Sequence, residues 1–206
     1  MSNVMSKADR KRTPVRRPGG RTADVSNRIF DAVLAILVRG GLADCNFQVI
    51  AKEAGIDRST LYRRWPDRSA LVLDAVAARI DTDVRLADTG SLEGDLTYAL
   101  NQLAHFLRSP VGRAALSATA EAPPGGSVDQ FQRQLWDRRW LAIEKLFQRA
   151  IARGELSASA DCEAILGAAA GAMYFRTLVT GRSIDAAWIR RVVAVLLHED
   201  GSNRPG

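Results

Sequence analysis

Between Arg58 and Arg64 the chain reads Arg-Ser-Thr-Leu-Tyr-Arg-Arg, with Gln48 and Arg68 a short distance to either side. Guanidinium forks match phosphates and the paired acceptors of a guanine edge; hydroxyls and amides serve bases or backbone oxygens. Nothing in this set breaks a covalent bond. Elsewhere there is no nucleophile beside a base, no carboxylate dyad and no phosphate-cradling glycine loop. Cys45, Cys162, His105 and His198 stand singly, so no metal-ligand spacing exists. The chemistry on offer is recognition of a polyanion, and no catalytic residue, metal or cofactor is expected.

The elements that must position these residues follow from periodicity. Leu61 and Trp65 are four residues apart and share one helical face, while Ser59, Thr60 and Arg63 point the other way. Asp57 is placed to cap this short helix, which ends near Trp65. Before it, Asn46 opens another short helix carrying Val49, Ile50 and Ala54, and Gly55 supplies a left-handed turn residue. Ala54 is small enough for a close crossing, and Ile56 can plug the space between the helices. Two short helices joined by Ala54-Gly55-Ile56 make the helix-turn-helix pattern, whose second helix fits the major groove of duplex DNA. A buried side then positions a DNA-reading side.

The rest of the chain is also helical. Asp24 to Arg39 carries Ile29, Val33, Ile36 and Leu37 on one face and is stopped by Gly40 and Gly41. After Pro66 a fourth helix runs from about Asp67 to Leu86. Five more follow beyond Thr89: one capped by Ser91, one opened by Pro110 and stopped by Pro123-Pro124-Gly125-Gly126, and one from Val128 to Arg153. The last two span Asp161 to Thr180 and Ile184 to His198. No period-two pattern persists, so the fold is all-α with about nine helices: an N-terminal three-helix DNA-binding domain and a helical ligand-binding and dimerisation bundle. A hydrophobic share of 47% is enough for a real core. Residues 1–23 carry seven basic residues against Asp9 alone, the whole net charge of +6. Such an arm either tracks a polyanion or serves as a solubilising tail. The division read from the sequence is a basic arm over residues 1–23, a helix-turn-helix domain over 24–66, and a regulatory bundle over 67–206.

Two apolar sets stand apart in that bundle. Phe106, Trp136, Trp140, Phe147, Tyr174 and Phe175 could line a ligand pocket between helices, or be ordinary core. Gly167 to Gly171 matches the GxxxG spacing that lets helices approach closely, within one subunit or between two. The rows Ile165-Ala168-Ala172 with Gly171, and Ile189-Val193-Leu196, suggest the latter, a homodimer interface. The longest near-continuous apolar run, Ala164 to Phe175, is read as too short to cross a membrane. His105 reads as a core histidine, and His198 as a cation in a final helical turn. The cysteine usage and the lack of a secretory signal in Met1 to Arg21 fit a reduced, cytoplasmic protein.

The stretch FQVIAKEAGIDRSTLYRRWPDRSALVLDAV, residues 47–76, resembles the DNA-binding motif of the TetR family of bacterial transcriptional regulators. The Ile-Ala, the Ala-Gly-Ile turn, the Thr-Leu-Tyr and the final aromatic, basic and Leu residues match in order. YFRTLVTGRSID, residues 174–185, resembles the end of one common C-terminal subtype. The resemblance implies that Gln48, Arg58, Ser59, Thr60, Tyr62 and Arg63 face bases or adjacent backbone. It also implies that Arg64, Arg68 and the Tyr62 hydroxyl meet phosphates. Three positions depart from the pattern: Asp57 stands where Ser is usual, Trp65 where Phe is usual, and Arg68 where Lys is usual. The Asp57 charge near DNA lowers affinity, and Trp65 only demands more room.

The expectation is therefore a homodimeric repressor released from a double-stranded DNA operator by a small-molecule effector, with no membrane partner. Two rivals stand beside it. An architectural DNA-binding protein would use the arm with little sequence preference. A helical enzyme with a vestigial DNA motif would need a catalytic constellation that the sequence lacks.

Overall fold

The computed structural model describes residues 20–121 and 127–199. The first nineteen residues of the basic arm, the Pro123–Gly126 stop and the His198 side chain lie outside the described residues. Among the described residues the chain forms nine α-helices and no strand. The first helix, α1 (Gly20–Asp44), begins before Asp24 and breaks where expected, at Gly41, whose φ of 73° lies in the region that favours glycine.

Next come α2 (Phe47–Ala54), α3 (Arg58–Arg64) and α4 (Arg68–Asp83), each opened by the residue the sequence points to. Asn46 Oδ1 accepts from the Val49 N–H at 3.0 Å, Asp57 Oδ1 from Ser59 at 2.7 Å, and Asp67 Oδ1 from Ala70 at 2.9 Å. Each cap satisfies an N–H that the helix itself leaves orphaned. Ile29, Val33, Ile36, Leu37, Ile50, Leu61 and Leu71 are removed from solvent together, a core shared by four helices. That core extends along α4 to Val76 and takes in Ala115, so α4 is not the property of the second unit alone. The helix ends at Asp83, short of Leu86, because Val84 leaves helical geometry and turns into the other core.

The second unit comprises α5 (Leu92–Arg108), α6 (Pro110–Glu121), α7 (Ser127–Ala152), α8 (Cys162–Tyr174) and α9 (Ala186–Glu199). A π-helical turn, Phe175–Val179, continues α8. Leu96, Leu107, Leu146, Phe147, Met173, Ile189 and Val193 form its centre. The α5–α6 junction requires glycine for space: a Cβ on Gly112 would lie 2.0 Å from the Phe106 carbonyl oxygen. Arginines of α7 hold the α4–α5 connection. Arg139 donates to Asp81 at 2.9 Å and to the Val84 carbonyl at 2.8 Å, and Arg149 to the Ala87 carbonyl at 2.9 Å. Asp95, fully buried, accepts from the Thr89 backbone and hydroxyl and faces Arg149 and Arg153 at 3.5 and 3.7 Å. A buried carboxylate needs this company, because desolvation without cations is strongly unfavourable.

Three expectations need correction. His105 is exposed, in the last turn of α5, rather than a core residue. Ile189 and Val193 are buried within the subunit core and cannot line an interface. The apolar run is also longer than it looked. With the π-helical turn it spans Cys162–Val179, and by length and composition alone that segment could cross a membrane. Leu178 and Val179 complete it.

Candidate DNA-binding surface

The surface is built on the α2–α3 crossing. Gly55 adopts φ 62°, and its N–H returns to the carbonyls at the end of α2, closing that helix while the chain turns. Ala54 is buried at the crossing, Ile56 packs against the first core, and Leu61 seats α3 with no exposure. Trp65 ends the helix with extended backbone, the conformation that the following Pro66 favours. The Asp57 carboxyl sits below the usual carboxylate range because the Ser59 hydroxyl and N–H both donate to it. It stays ionised as a cap, and by linkage its contribution is lost only as pH falls through that lowered pKa.

The opposite side of α3 carries the polar set. Arg58, Ser59, Tyr62, Arg63 and Arg64 are exposed, as are Gln48 on α2 and Arg68 at the start of α4; Thr60 is half-buried. The Tyr62 ring lies edge-on to Phe47, with centroids 4.8 Å apart, and so presents its hydroxyl outward while 62% exposed. Arg68 Nη1 donates to the Ala43 carbonyl at 3.3 Å. Arg64 Nη2 donates to Ser26 Oγ at 2.9 Å, and its guanidinium lies 5.2 Å from the Trp65 ring centroid. Around α3 every residue but Leu61 is thus open or half-open to solvent, while Arg64 and Arg68 reach back to α1.

Sequence reasoning missed three residues around this surface. Val49 and Lys52 are exposed on α2 alongside Gln48. Lys52 follows Gln48 by four residues, a signal present in the spacing. Ser26 meets Arg64 across thirty-eight residues, and no local pattern shows that.

The candidate pocket residues separate. Phe106 and Phe147 are buried core, and Trp140 is half-buried. Trp136, Trp140 and Phe147 form a ladder along α7, with centroids 6.2 and 6.3 Å apart, whose outer end is exposed. Tyr174 is partly exposed as a residue, yet burial of its hydroxyl end pushes its pKa up, against the pull of Arg139. Phe175 is exposed, together with Leu178 and Val179. A separate cleft of about 320 Å³ lies between α1 and α6, lined by Leu37, Val38, Leu42, Pro110, Arg113 and Ala114 among others.

Of the interface candidates, Ala168 and Gly171 are exposed and Ile165, Ala172 and Leu196 half-buried. A Cβ on Gly167 or Gly171 would meet nothing within 4 Å, so neither glycine serves packing inside the subunit.

Comparison with known proteins agrees with this geometry. Residues 29–75 match the family described as Bacterial regulatory proteins, tetR family, and residues 86–196 match the Tetracyclin repressor-like, C-terminal domain. The HTH-type transcriptional regulator AqdR of Rhodococcus erythropolis is 29% identical over 177 residues, 86% of either chain. The DNA-binding transcriptional repressor TetR of Mycobacteroides abscessus is 29% identical, covering 82% of this chain and 89% of that one. The crystal structure of the TetR family transcription regulator SCO0332 superposes with a TM-score of 0.73 at 26% identity, covering 85% of this chain and 97% of that one. With both halves matched and the helix-turn-helix closed beneath an exposed polar face, this chain belongs to the TetR family of DNA-binding transcriptional regulators.

Proposed function

We propose that the protein is a cytoplasmic, homodimeric repressor that leaves its operator when a small molecule binds the α5–α9 bundle. The observation that carries the DNA-reading half is the two-sidedness of α3: Leu61 is fully buried, whereas Arg58, Ser59, Tyr62 and Arg63 are exposed. In this reading Gln48, Arg58, Ser59, Thr60, Tyr62 and Arg63 meet base edges and adjacent backbone, and Arg68 a phosphate. The dimer half rests on α8. Its exposed face of Ala168, Gly171, Phe175, Leu178 and Val179 is what a second subunit would cover, forming a four-helix contact with α9. That one-sided exposure also favours a protein partner for this face over a lipid. The effector half rests on the Trp136–Trp140 ladder and Tyr174, which give the bundle an aromatic wall with one phenol and the Arg139 cation nearby.

Selection of binding sites from random duplexes with the full-length protein tests the reading. A repressor of this type yields a two-half-site sequence bound at least about 10³-fold more tightly than random DNA. A ratio near one would return the architectural reading. On the selected duplex, Arg63→Ala is expected to lose about 1–3 kcal/mol of preference at one base pair per half-site, with melting nearly unchanged. Uniform weakening across all single-base variants would remove Arg63 from base reading.

A further inference from the structure

The end of the recognition helix is tied to the helices on both sides of it. Trp65 stands where phenylalanine is the family's usual residue, and its indole does more than fill space. Its Nε1–H donates to Asp74 Oδ2 of α4 at 3.1 Å, a bond that phenylalanine has no donor to make. The ring is buried at 7% exposure, edge-on to Phe30 of α1 with centroids 6.2 Å apart. Arg64 lies against the same indole, 5.2 Å from its centroid, and donates to Ser26 of α1 at 2.9 Å. A continuous path therefore runs from Ser26 through Arg64 and Trp65 to Asp74. It joins α1, the C-terminal end of α3, and α4.

A seven-residue helix needs such a tie. It makes only a few internal hydrogen bonds, and one buried leucine fixes its depth but not its rotation. Reading base edges tolerates little error in rotation, because paired hydrogen bonds to a base fail when the side chain is displaced. We infer that Ser26, Arg64, Trp65 and Asp74 are positioning residues that set the orientation of α3 for sequence reading, and that Arg64 acts as a brace to α1 rather than as a phosphate ligand. The inference rests on the DNA-reading role of α3 and assigns to Arg64 a role different from the one the family resemblance implies.

The two roles for Arg64 give opposite signatures. A phosphate ligand acts on every sequence alike, and its loss lowers the log-log salt slope by about 0.9. A brace acts on the operator alone. The experiment measures affinity of the full-length protein for the selected duplex and for a scrambled duplex across a salt series. The variants are Arg64→Ala, Ser26→Ala, Trp65→Phe, Asp74→Asn and Asp74→Leu. Ser26→Ala and Trp65→Phe change no charge, so any effect they have is geometric.

We expect Arg64→Ala, Ser26→Ala, Trp65→Phe and Asp74→Leu each to lower the operator-to-scrambled ratio about tenfold, the worth of one hydrogen bond involving a charged partner. The salt slope on scrambled DNA should stay as in the unaltered protein. Asp74→Asn keeps an oxygen acceptor for the indole and should retain the ratio. If Trp65→Phe is too unstable to assay, Asp74→Leu breaks the same bond from the α4 side and is read in its place. Equal weakening of both duplexes by Arg64→Ala, with the slope reduced, would restore it as a phosphate ligand and overturn the brace. An unchanged ratio in Trp65→Phe and Asp74→Leu would overturn the tie to α4. Absence of any sequence preference in the unaltered protein would instead refute the DNA-reading assignment on which the inference rests.

Discussion

The α1–α4 unit and the α8–α9 layer use apolar residues to opposite ends. In the first, each helix is polar on one side, and its large apolar residues meet at one centre: Ile29, Ile50, Leu61 and Leu71 come from four different helices and see no solvent. In the second, α8 is apolar around its circumference, yet only Ala169 and Met173 of it are buried. Phe175, Leu178 and Val179, on the π-helical turn that follows, are 59–69% exposed. Burial of apolar surface is the main force in folding, so this uncovered face is the observation behind the proposed dimer. One region is closed within a single chain. The other leaves an apolar face open in the single chain.

Breaking the closed region should have the largest effect. Leu61→Ala removes a side chain with no solvent exposure and is expected to lower stability by about 2–5 kcal/mol, a large share of what a small domain has. Amide hydrogen exchange should lose protection across α1–α4 and keep it in α8 and α9. Uniform loss along the chain would mean that the two regions do not respond separately.

The next comparison lies inside the second unit. Val193 and Gly171 were placed together in a dimer interface by sequence, and the structure separates them. Val193→Ala should lower subunit stability by about 1–3 kcal/mol and leave dimerisation alone. Gly171→Leu meets open space in the single chain, so the subunit should melt no lower, while dimer formation weakens by roughly 1–3 kcal/mol through overpacking. Sedimentation over a dilution series reads the second effect and thermal melting the first. An intact dimer in Gly171→Leu would leave the α8 face to another partner.

The contrast also explains what the sequence could and could not say. Asn46, Asp57 and Ser91 were recognisable as caps because a short polar side chain before an amphipathic segment has a local reason to be there. Gly41 and Gly55 carry positive φ for equally local reasons. The exposed residues of α3 followed from the burial of Leu61 four residues from Trp65. Where a helix is apolar on several sides, periodicity no longer chooses a face. Ile189 and Val193 were therefore assigned outward although α5 covers them; His105 was assigned inward from its apolar sequence neighbours, although helical spacing puts it with Asn101 and Arg108 on the polar side of α5. The Trp65–Asp74 and Arg64–Ser26 bonds, and the grip of Arg139 and Arg149 on the α4–α5 connection, join elements that only the folded chain brings together.

The smallest effect uses one cysteine from each region as a reporter. Cys45 belongs to the closed core with no exposure, and burial pushes its thiol up to about 11 despite the opposing Arg68 cation. Cys162 begins α8 and is half-buried. The thiolate is the reactive form, so at pH 8 Cys45 is disfavoured twice, by access and by a thiolate fraction on the order of 10⁻³. A small alkylating reagent followed by mass spectrometry should mark Cys162 first, with Cys45 reacting only as fast as the first core opens. Linkage gives a second, independent reading. A thiol whose pKa is raised on folding leaves stability unaffected below its ordinary value near 9 and erodes it as pH rises from there towards 11, because the unfolded chain loses the proton first. Cys45→Ala should flatten that alkaline decline, on top of a pH-independent loss of about 1 kcal/mol from truncating a buried side chain. If Cys45 were alkylated as fast as Cys162 and its replacement left the alkaline melting curve unaltered, the first core would be far less closed than the comparison requires.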